Sequence, residues 1–359
     1  MRVVGVRGAS FRLYERVEVA FPEGLVALVG PNGAGKTALI EMIHFGCLGY
    51  SPRTSAEAQV VRFGAEATHV ETEVELQSGR VSVGLGYRPG EPKRVTVNGA
   101  AERSIERLLP RFPVLVFTPD RLRLIQGAPA LRRSYVDRAL VRLWPSLGAV
   151  SAEYSRRLAQ RNHLLRRVRA GSAAVDALEP WDRLVGEAGD ALVAARSRLC
   201  SRLANPFAER LSGLGGTPGE QPLRYEPNVA PGESLAAVLA ARRSRDVDRA
   251  ATGAGPHVDD VALSEDGRDL RLYGSQGEQR RALLALILAE ADVLTAERSE
   301  PPLLLLDDVT GELDGDRRGL LLDAVAGFEQ TIVTTTDEAD IAGRAATVLR
   351  VERGTVRAA

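Results

Sequence analysis

Lysine is almost missing from this chain: of 47 basic residues only Lys36 and Lys93 are lysine, and arginine supplies the rest of the positive charge. An arginine fork and a compact ammonium are not interchangeable, so each of the two lysines offers a point donor that its background does not. Cysteine is equally rare. Cys47 and Cys200 show neither metal nor redox spacing, and two cysteines among 359 residues fit a reducing, cytoplasmic compartment better than a disulfide framework. Aromatic residues make up 5% of the chain, too few to staff an interface built mainly on base stacking. There is no run of 18 apolar residues, and residues 1–7 lack a signal-peptide hydrophobic stretch, so neither a membrane span nor a secretory leader is expected. The remaining composition, 44% hydrophobic and 26% charged, is ordinary for a globular protein. At 359 residues the chain is long for one core and predicts two or three domains.

Net charge is zero overall, yet acids are missing locally. Residues 121–210 hold 17 arginines against 8 acids, and residues 121–170 hold 12 arginines against only Asp137 and Glu153. Such an excess is an electrostatic address for a polyanion, although arginine on a solvated helix face is often only surface.

What the chain does contain is the octapeptide Gly30-Pro31-Asn32-Gly33-Ala34-Gly35-Lys36-Thr37, preceded by an apolar run at 25–29 and followed by another at 38–43. That order reads as strand, glycine loop and helix, the context a phosphate-binding P-loop requires and a chance glycine turn does not. Glycines let consecutive backbone N–H groups turn inward around phosphate oxygens, and the helix start adds its positive dipole end. Lys36 then reaches the β- and γ-phosphates, and Thr37 offers a hydroxyl to Mg²⁺. The chain is expected to bind a nucleoside triphosphate.

Residues 1–120 alternate strand-like runs with turns, among them 70–76, 80–85 and 113–117. From Leu131 the apolar spacing becomes helical, through Tyr135, Ala139 and Trp144, and after Pro145 through Tyr154, Leu158, Leu165 and Val168. Pro180-Trp181 opens another helical run, predicted to stop near Ala204 ahead of Asn205-Pro206. Two long helices make an α-hairpin, whose arginines are expected on exposed faces. A Gly- and Pro-rich stretch at 211–254, with one helix near 234–245, leads back. Then come a hairpin around Glu265-Asp266-Gly267, a long helix at 278–297, a buried strand at 303–306, and strands at 331–333 and 348–351. The expected fold is α/β: an ATPase head whose doubly wound sheet is assembled from residues 1–120 and 251–359, with a helical arm and its return segment at 121–250 inserted between them.

Four leucines at 303–306 end in Asp307-Asp308, placing acid at the C-terminal edge of a buried strand, where open α/β sheets bind ligands. Asp307 is expected to hold Mg²⁺, directly or through water, and Asp308 to polarise the attacking water, a role glutamate more often fills. Ser275-Gln276-Gly277 begins 32 residues before Asp307. It could merely cap the helix that follows. In this position it resembles the signature loop of ABC-type ATPases, and Gly311-Glu312-Leu313-Asp314 resembles their D-loop. Thr334-Thr335-Thr336 stand where transporter ATPases carry a switch histidine, which argues against a transporter motor. Gln126 lies near the place of a Q-loop glutamine without matching it. His44, His69 and His163 read as ordinary core or surface residues, and His257 as a turn or supporting residue.

The resemblance extends along the whole chain to the RecF family of bacterial recombinational-repair proteins. Phe11-Arg12-Leu13-Tyr14 is similar to its N-terminal aromatic motif, Ser51-Pro52-Arg53-Thr54 to its segment after the P-loop, and residues 127–137 and 305–321 to its two signatures. Gly255-Pro256-His257-Val258-Asp259-Asp260 and the Ser275 loop complete the pattern. Two positions depart from it: Gly311 replaces the usual serine or alanine, and Glu278 the usual glutamine.

This resemblance implies an ABC-type ATPase with a site shared between subunits. ATP and Mg²⁺ would be held by residues 30–37 and Arg12 of one copy and by Ser275, Gln276 and Gly277 of the other, with Lys36 and Asp308 catalytic and Thr37 and Asp307 at the metal. It also implies an ATP-dependent homodimer that closes on double- and single-stranded DNA at gaps or junctions, weak DNA-stimulated hydrolysis that releases it, RecR and RecO as partners, and RecA indirectly. Arg156, Arg157, Arg166 and Arg167 are then the candidate DNA contacts, led by the DNA backbone because no base-reading motif is visible. A structural ATPase of the SMC type would need longer coiled coils than an arm of about 80 residues provides.

Overall fold

The structure, a computed structural model, describes residues 1–298, 300–309, 315–341 and 343–358; the expected D-loop at 311–314 lies outside the described residues. Strands β1 (Arg2–Phe11), β2 (Tyr14–Ala20), β3 (Gly24–Val29), β4 (Thr68–Leu76), β5 (Gly79–Tyr87), β6 (Arg94–Val97), β7 (Ala100–Glu102) and β8 (Val114–Phe117) come first. Further along are β9 (Leu223–Glu226), β10 (Asp260–Glu265), β11 (Arg268–Asp269), β12 (Leu303–Leu306), β13 (Gln330–Thr335), β14 (Thr347–Glu352) and β15 (Thr355–Ala358). The longer helices are α1 (Lys36–Leu48), α2 (Pro129–Leu143), α3 (Gly148–Arg169), α4 (Glu179–Gly213), α5 (Leu235–Ala241), α6 (Arg243–Arg249), α7 (Gln276–Arg298) and α8 (Gly315–Val325). Among the described residues no helix is long and apolar enough to cross a membrane.

The chain forms two compact units: residues 1–122, 209–217 and 274–359, and residues 123–208 and 218–273. The units do not divide at residue 251. Residues 251–273 belong to the second unit because β10 pairs with β9, Asp260 opposite Glu226 through Leu263 opposite Leu223. A hairpin signal in sequence does not say which strand the hairpin will join.

The first unit holds two six-stranded sheets with α1 between them. One, ordered β2-β1-β4-β5-β6-β7, is antiparallel. The other, ordered β15-β14-β3-β13-β12-β8, is parallel apart from its β15 edge and draws strands from both ends of the chain. Strands β12 (LLLL) and β8 (VLVF) are unbroken apolar runs, and β3 is one after Gly24, as expected of parallel strands covered on both faces. Helix α1 touches β1, β4 and β5 on one side and β8, β12 and β13 on the other, and 12 of its 13 residues are buried. A helix enclosed on all sides needs no polar stripe. One face of the parallel sheet is thus backed by a helix and then a second sheet, rather than by a helix and solvent.

The second unit is built from α2, α3, most of α4, α5, α6 and the small sheet β11-β10-β9. Tyr154, Val185, Ala188, Leu192, Leu235 and Leu239 form one core cluster, and Leu165, Val168 and Leu178 form another, against which Val247 packs. Helix α4 does not stop near Ala204. It continues through Pro206 to Gly213, because Leu203, Phe207 and Leu211 keep a buried face across the proline and packing outweighs one lost backbone hydrogen bond. Nor do all arginines lie on exposed faces. Arg161 is fully buried, donating to Asp182 and Asp246 at 2.8 Å each and to Thr252 Oγ1 at 2.7 Å. Arg132 with Asp260 and Arg196 with Asp137 form two-pronged pairs. A guanidinium enters an interior only with such partners, which residue counting cannot see.

Candidate nucleotide site

Strand β3 ends at Val29 and α1 begins at Lys36, so the loop between them wraps the N-terminus of a buried helix. A Cβ on Gly30 would lie 2.1 Å from the Val351 carbonyl oxygen. Gly35 has φ +118°, and a Cβ there would lie 2.6 Å from the Tyr14 hydroxyl, so neither position admits a side chain. Tyr14 donates to the Gly35 carbonyl at 3.0 Å, and burial pushes its phenol up to about 12, which keeps that donor protonated. Lys36 Nζ donates to the carbonyls of Gly30 at 2.6 Å and Pro31 at 3.0 Å. Two of its three donors close the loop on itself, and one is left for a ligand. Burial lowers the pKa of this ammonium, while Asp307 and Asp308 oppose the shift.

The acid pair follows β12. Asp307 is 2% exposed, and its Oδ1 accepts from Thr37 Oγ1 and from Thr334 Oγ1, each at 2.9 Å. Burial raises its pKa, against the two hydroxyls and the charge of Arg53. Asp308 has φ +52°, and its N–H donates to Thr334 Oγ1 at 2.8 Å. The residues meet at a cavity of about 250 Å³ lined by Arg12, Leu13, Asn32, Gly33, Gly35, Lys36, Thr37, Ala38, Arg53, Asp308 and Thr334.

Arg12 and Arg53 share a counter-ion. Glu41, fully buried on α1, accepts from Arg12 Nε at 2.8 Å and Nη2 at 2.6 Å, from Ser51 Oγ at 2.5 Å, and from Arg53 Nη1 at 3.5 Å. Ser51 Oγ in turn accepts the backbone N–H groups of Arg53 and Thr54, which pins the segment after α1 over that carboxylate. The sequence reading assigns no site role to Glu41, Arg53 or Thr334. The available signals were the spacing of Glu41, one helical turn from Thr37 on the same face, the motif segment that holds Arg53, and the place of Thr334 where other ATPases carry a switch histidine.

These residues suit a nucleoside triphosphate with Mg²⁺. Glycine-loop N–H groups, the remaining Lys36 donor and two arginines put positive charge on the cavity wall, and a cation beside Asp307 would offset the burial that raises its pKa. Among the described residues no group of three or more His, Cys, Asp or Glu is placed to hold a metal. Mg²⁺ here would therefore take Thr37 and Asp307 from the protein and complete its shell with phosphate and water, as this ion usually does.

Ser275, Gln276 and Gly277 are exposed, and none of them lines this cavity. Ser275 caps α7 in a reciprocal box: its Oγ accepts the Glu278 N–H at 3.3 Å, and its own N–H donates to the Glu278 carboxylate at 2.7 Å. On α3, Arg156 is 71% exposed beside Glu153, and Arg166 and Arg167 are exposed. Arg157 differs. It is 27% exposed, paired with Glu153, and donates to the Leu184 carbonyl at 2.8 Å, bracing α3 to α4.

Glycine loop, acid-ended strand and parallel sheet together define an ABC-type ATPase head of the SMC class. A family model described as "RecF/RecN/SMC N terminal domain" matches residues 3–356. An SMC head bound to the C-winged helix domain of ScpA shares the fold, with a TM-score of 0.62 at 16% identity, covering 100% of this chain and 97% of that one. Within the class the likeness is narrower. The DNA replication and repair protein RecF of Acidothermus cellulolyticus is 39% identical over 348 residues, covering 92% of this chain and 93% of its own. That of Symbiobacterium thermophilum is 37% identical over 364 residues, covering 97% and 96%. A solved structure of the recombination mediator protein RecF with ATP, in the RecFOR pathway, matches with a TM-score of 0.89 at 27% identity, covering 99% of this chain and 97% of that one. The chain belongs to the RecF family of DNA replication and repair proteins.

Proposed function

We propose that this chain is a cytoplasmic, ATP-hydrolysing, DNA-binding protein of recombinational repair in which each ATP is enclosed between two copies. The observation that carries the reading is the separation of two loops: the exposed residues 275–277 take no part in the cavity lined by Lys36, Thr37 and Asp308. A second copy related by a two-fold axis would bring its own Ser275 loop to this cavity and receive the same in return. The start of α7 suits that task, since backbone N–H groups at a helix N-terminus attract anions.

Within one copy, Lys36 is the group for the β- and γ-phosphates, Thr37 and Asp307 are the protein ligands for Mg²⁺, and Arg12 and Arg53, held by Glu41, neutralise phosphate charge. Bound Mg²⁺-ATP supplies the phosphoanhydride bond that is cleaved. Asp308 orients the attacking water and accepts its proton. Lys36 of one copy and Ser275 of the other are then no longer joined, and the pair opens and releases DNA. The names of the relatives, together with the motif resemblance, support RecR and RecO as partners, loading of RecA, and binding to double- and single-stranded DNA at gaps, with Arg156, Arg166 and Arg167 among the contacts.

Gel filtration with and without ATP, and with and without duplex DNA, tests this reading. A monomer that becomes a dimer with ATP, and a larger complex with ATP and DNA together, is expected. A monomer under every condition would overturn it.

A further inference from the structure

We infer that Thr334 is the positioning residue for both carboxylates of the site, acting through one hydroxyl; the inference rests on the hydrolytic roles proposed for Asp307 and Asp308. Thr334 lies in β13, between β3, which leads into the P-loop, and β12, which leads into the acid pair. Register makes the meeting. Leu306 pairs with Val333, so the next residues along the two parallel strands are Asp307 and Thr334.

A hydroxyl has one hydrogen and two lone pairs, and its neighbours here leave one way to use them. The Asp307 carboxylate only accepts, so the hydrogen goes to Oδ1 at 2.9 Å; the Asp308 N–H only donates, so a lone pair takes it at 2.8 Å. The second of these bonds has a conformational consequence. Asp308 sits at φ +52°, in the left-handed region that residues with a Cβ seldom adopt, and its N–H is anchored there by Thr334. Removing the acceptor would leave that N–H without its partner and withdraw what anchors the left-handed turn. Asp308 would then leave its place on the cavity wall, while the glycine loop and Lys36, which do not touch Thr334 through any of these bonds, would stay as they are. The first bond works on Asp307. Thr37 and Thr334 donate to the same oxygen, so together they fix how that carboxylate is turned.

A merely structural threonine would affect stability. A positioning threonine must separate turnover from binding. The test compares Thr334→Val, which keeps shape and loses the hydroxyl, with Thr334→Ser, which keeps the hydroxyl and loses a methyl, in the full chain. Steady-state hydrolysis and binding of a fluorescent ATP analogue are the readouts. Thr334→Val is expected to lower kcat by about 100-fold, the size of an ångström-scale misplacement of a reacting group, with affinity for the analogue unchanged. Thr334→Ser should recover most of the rate, and Thr334→Ala serves as the hydroxyl-free variant if valine perturbs the sheet. Wild-type kcat without the hydroxyl, or a loss in Thr334→Ser as large as that in Thr334→Val, overturns the inference. Lys36→Ala separates this from failure of the site itself: if that variant also turns over like wild type, the reading of the site falls and the inference falls with it.

Discussion

Lys36 and Lys93 sit at opposite ends of one helix. Lys36 opens α1 and ties the glycine loop shut, while Lys93 Nζ donates at 2.7 Å to the carbonyl of Gly49, which caps the C-terminus of α1. The negative end of the helix dipole thereby meets a cation. Lys93 also pairs with Glu57 and lies 5.7 Å and 5.8 Å from the ring centres of Phe45 and Tyr87. A compact ammonium serves two rings, a carboxylate and a carbonyl at once, as a planar fork cannot. The two lysines of an arginine-using chain therefore both serve the helix enclosed between the sheets.

Lys93→Ala is expected to destabilise the head by about 1–2 kcal/mol, from the helix-end charge and the ring contacts together. Urea unfolding should show a lower midpoint with an unchanged slope, and Lys93→Arg should recover only part of it. Wild-type midpoints in both variants would show that the cap contributes nothing.

Ser275→Arg and Asp308→Asn should move the dimer in opposite directions. Ser275→Arg places a long cation where a partner's phosphate must dock, so ATP still binds each monomer but gel filtration shows no dimer. Asp308→Asn removes the group that orients water and lowers hydrolysis by about 100-fold or more, so the ATP-bound dimer outlasts the wild-type one. Normal dimers and normal turnover in both would contradict the shared site.

The parts of this site that could be read from sequence are those contiguous along the chain: residues 30–37 and the leucine run ending in Asp307-Asp308. Motif position marked Thr334 and Arg53 without giving them partners; strand register, the facing of α1 and the segment pinned by Ser51 bring Thr334, Glu41 and Arg53 to the site, and a single sequence does not display these. Ser275 shows the opposite limit, because a capping box and a signature loop use the same letters, and its bonds to Glu278 satisfy the first use without touching the second. In the arm, counting charge located a basic region but could not separate Arg161, buried between two carboxylates, from Arg166, which faces solvent.

His257 should make stability depend on acid. The Thr252 carbonyl can only accept, so Nε2 carries the hydrogen and Nδ1 takes the Tyr154 hydroxyl at 2.7 Å. Burial holds this imidazole below its usual pKa, helped by Arg133 and opposed by the bond to Thr252 and by Asp259 and Asp246. The unfolded chain then takes up the proton first, so the contribution is complete above a pH of about 6.5 and is lost as pH falls below it. His257→Gln should flatten the fall in urea midpoint on that acid side. An identical fall in both proteins would remove His257 as the cause.

The exposed arginines of α3 should carry salt-dependent DNA binding. Replacing Arg156, Arg166 and Arg167 with Glu is expected to weaken binding to duplexes of any sequence and to reduce the slope of log affinity against log salt by about 0.9 for each phosphate no longer neutralised. Arg157→Glu should instead lower the melting temperature, because its guanidinium braces α3 to the Leu184 carbonyl. An unchanged salt slope in the triple variant would move the DNA-binding surface away from α3.

The most direct test of the shared site is hydrolysis by an equimolar mixture of Lys36→Arg and Ser275→Arg chains, each inactive alone. In a mixed pair the two defects fall on the same composite site, while the other site joins an intact P-loop to an intact Ser275 loop. Turnover should therefore return on mixing and rise with total protein concentration. A mixture as inactive as its two components would contradict the account.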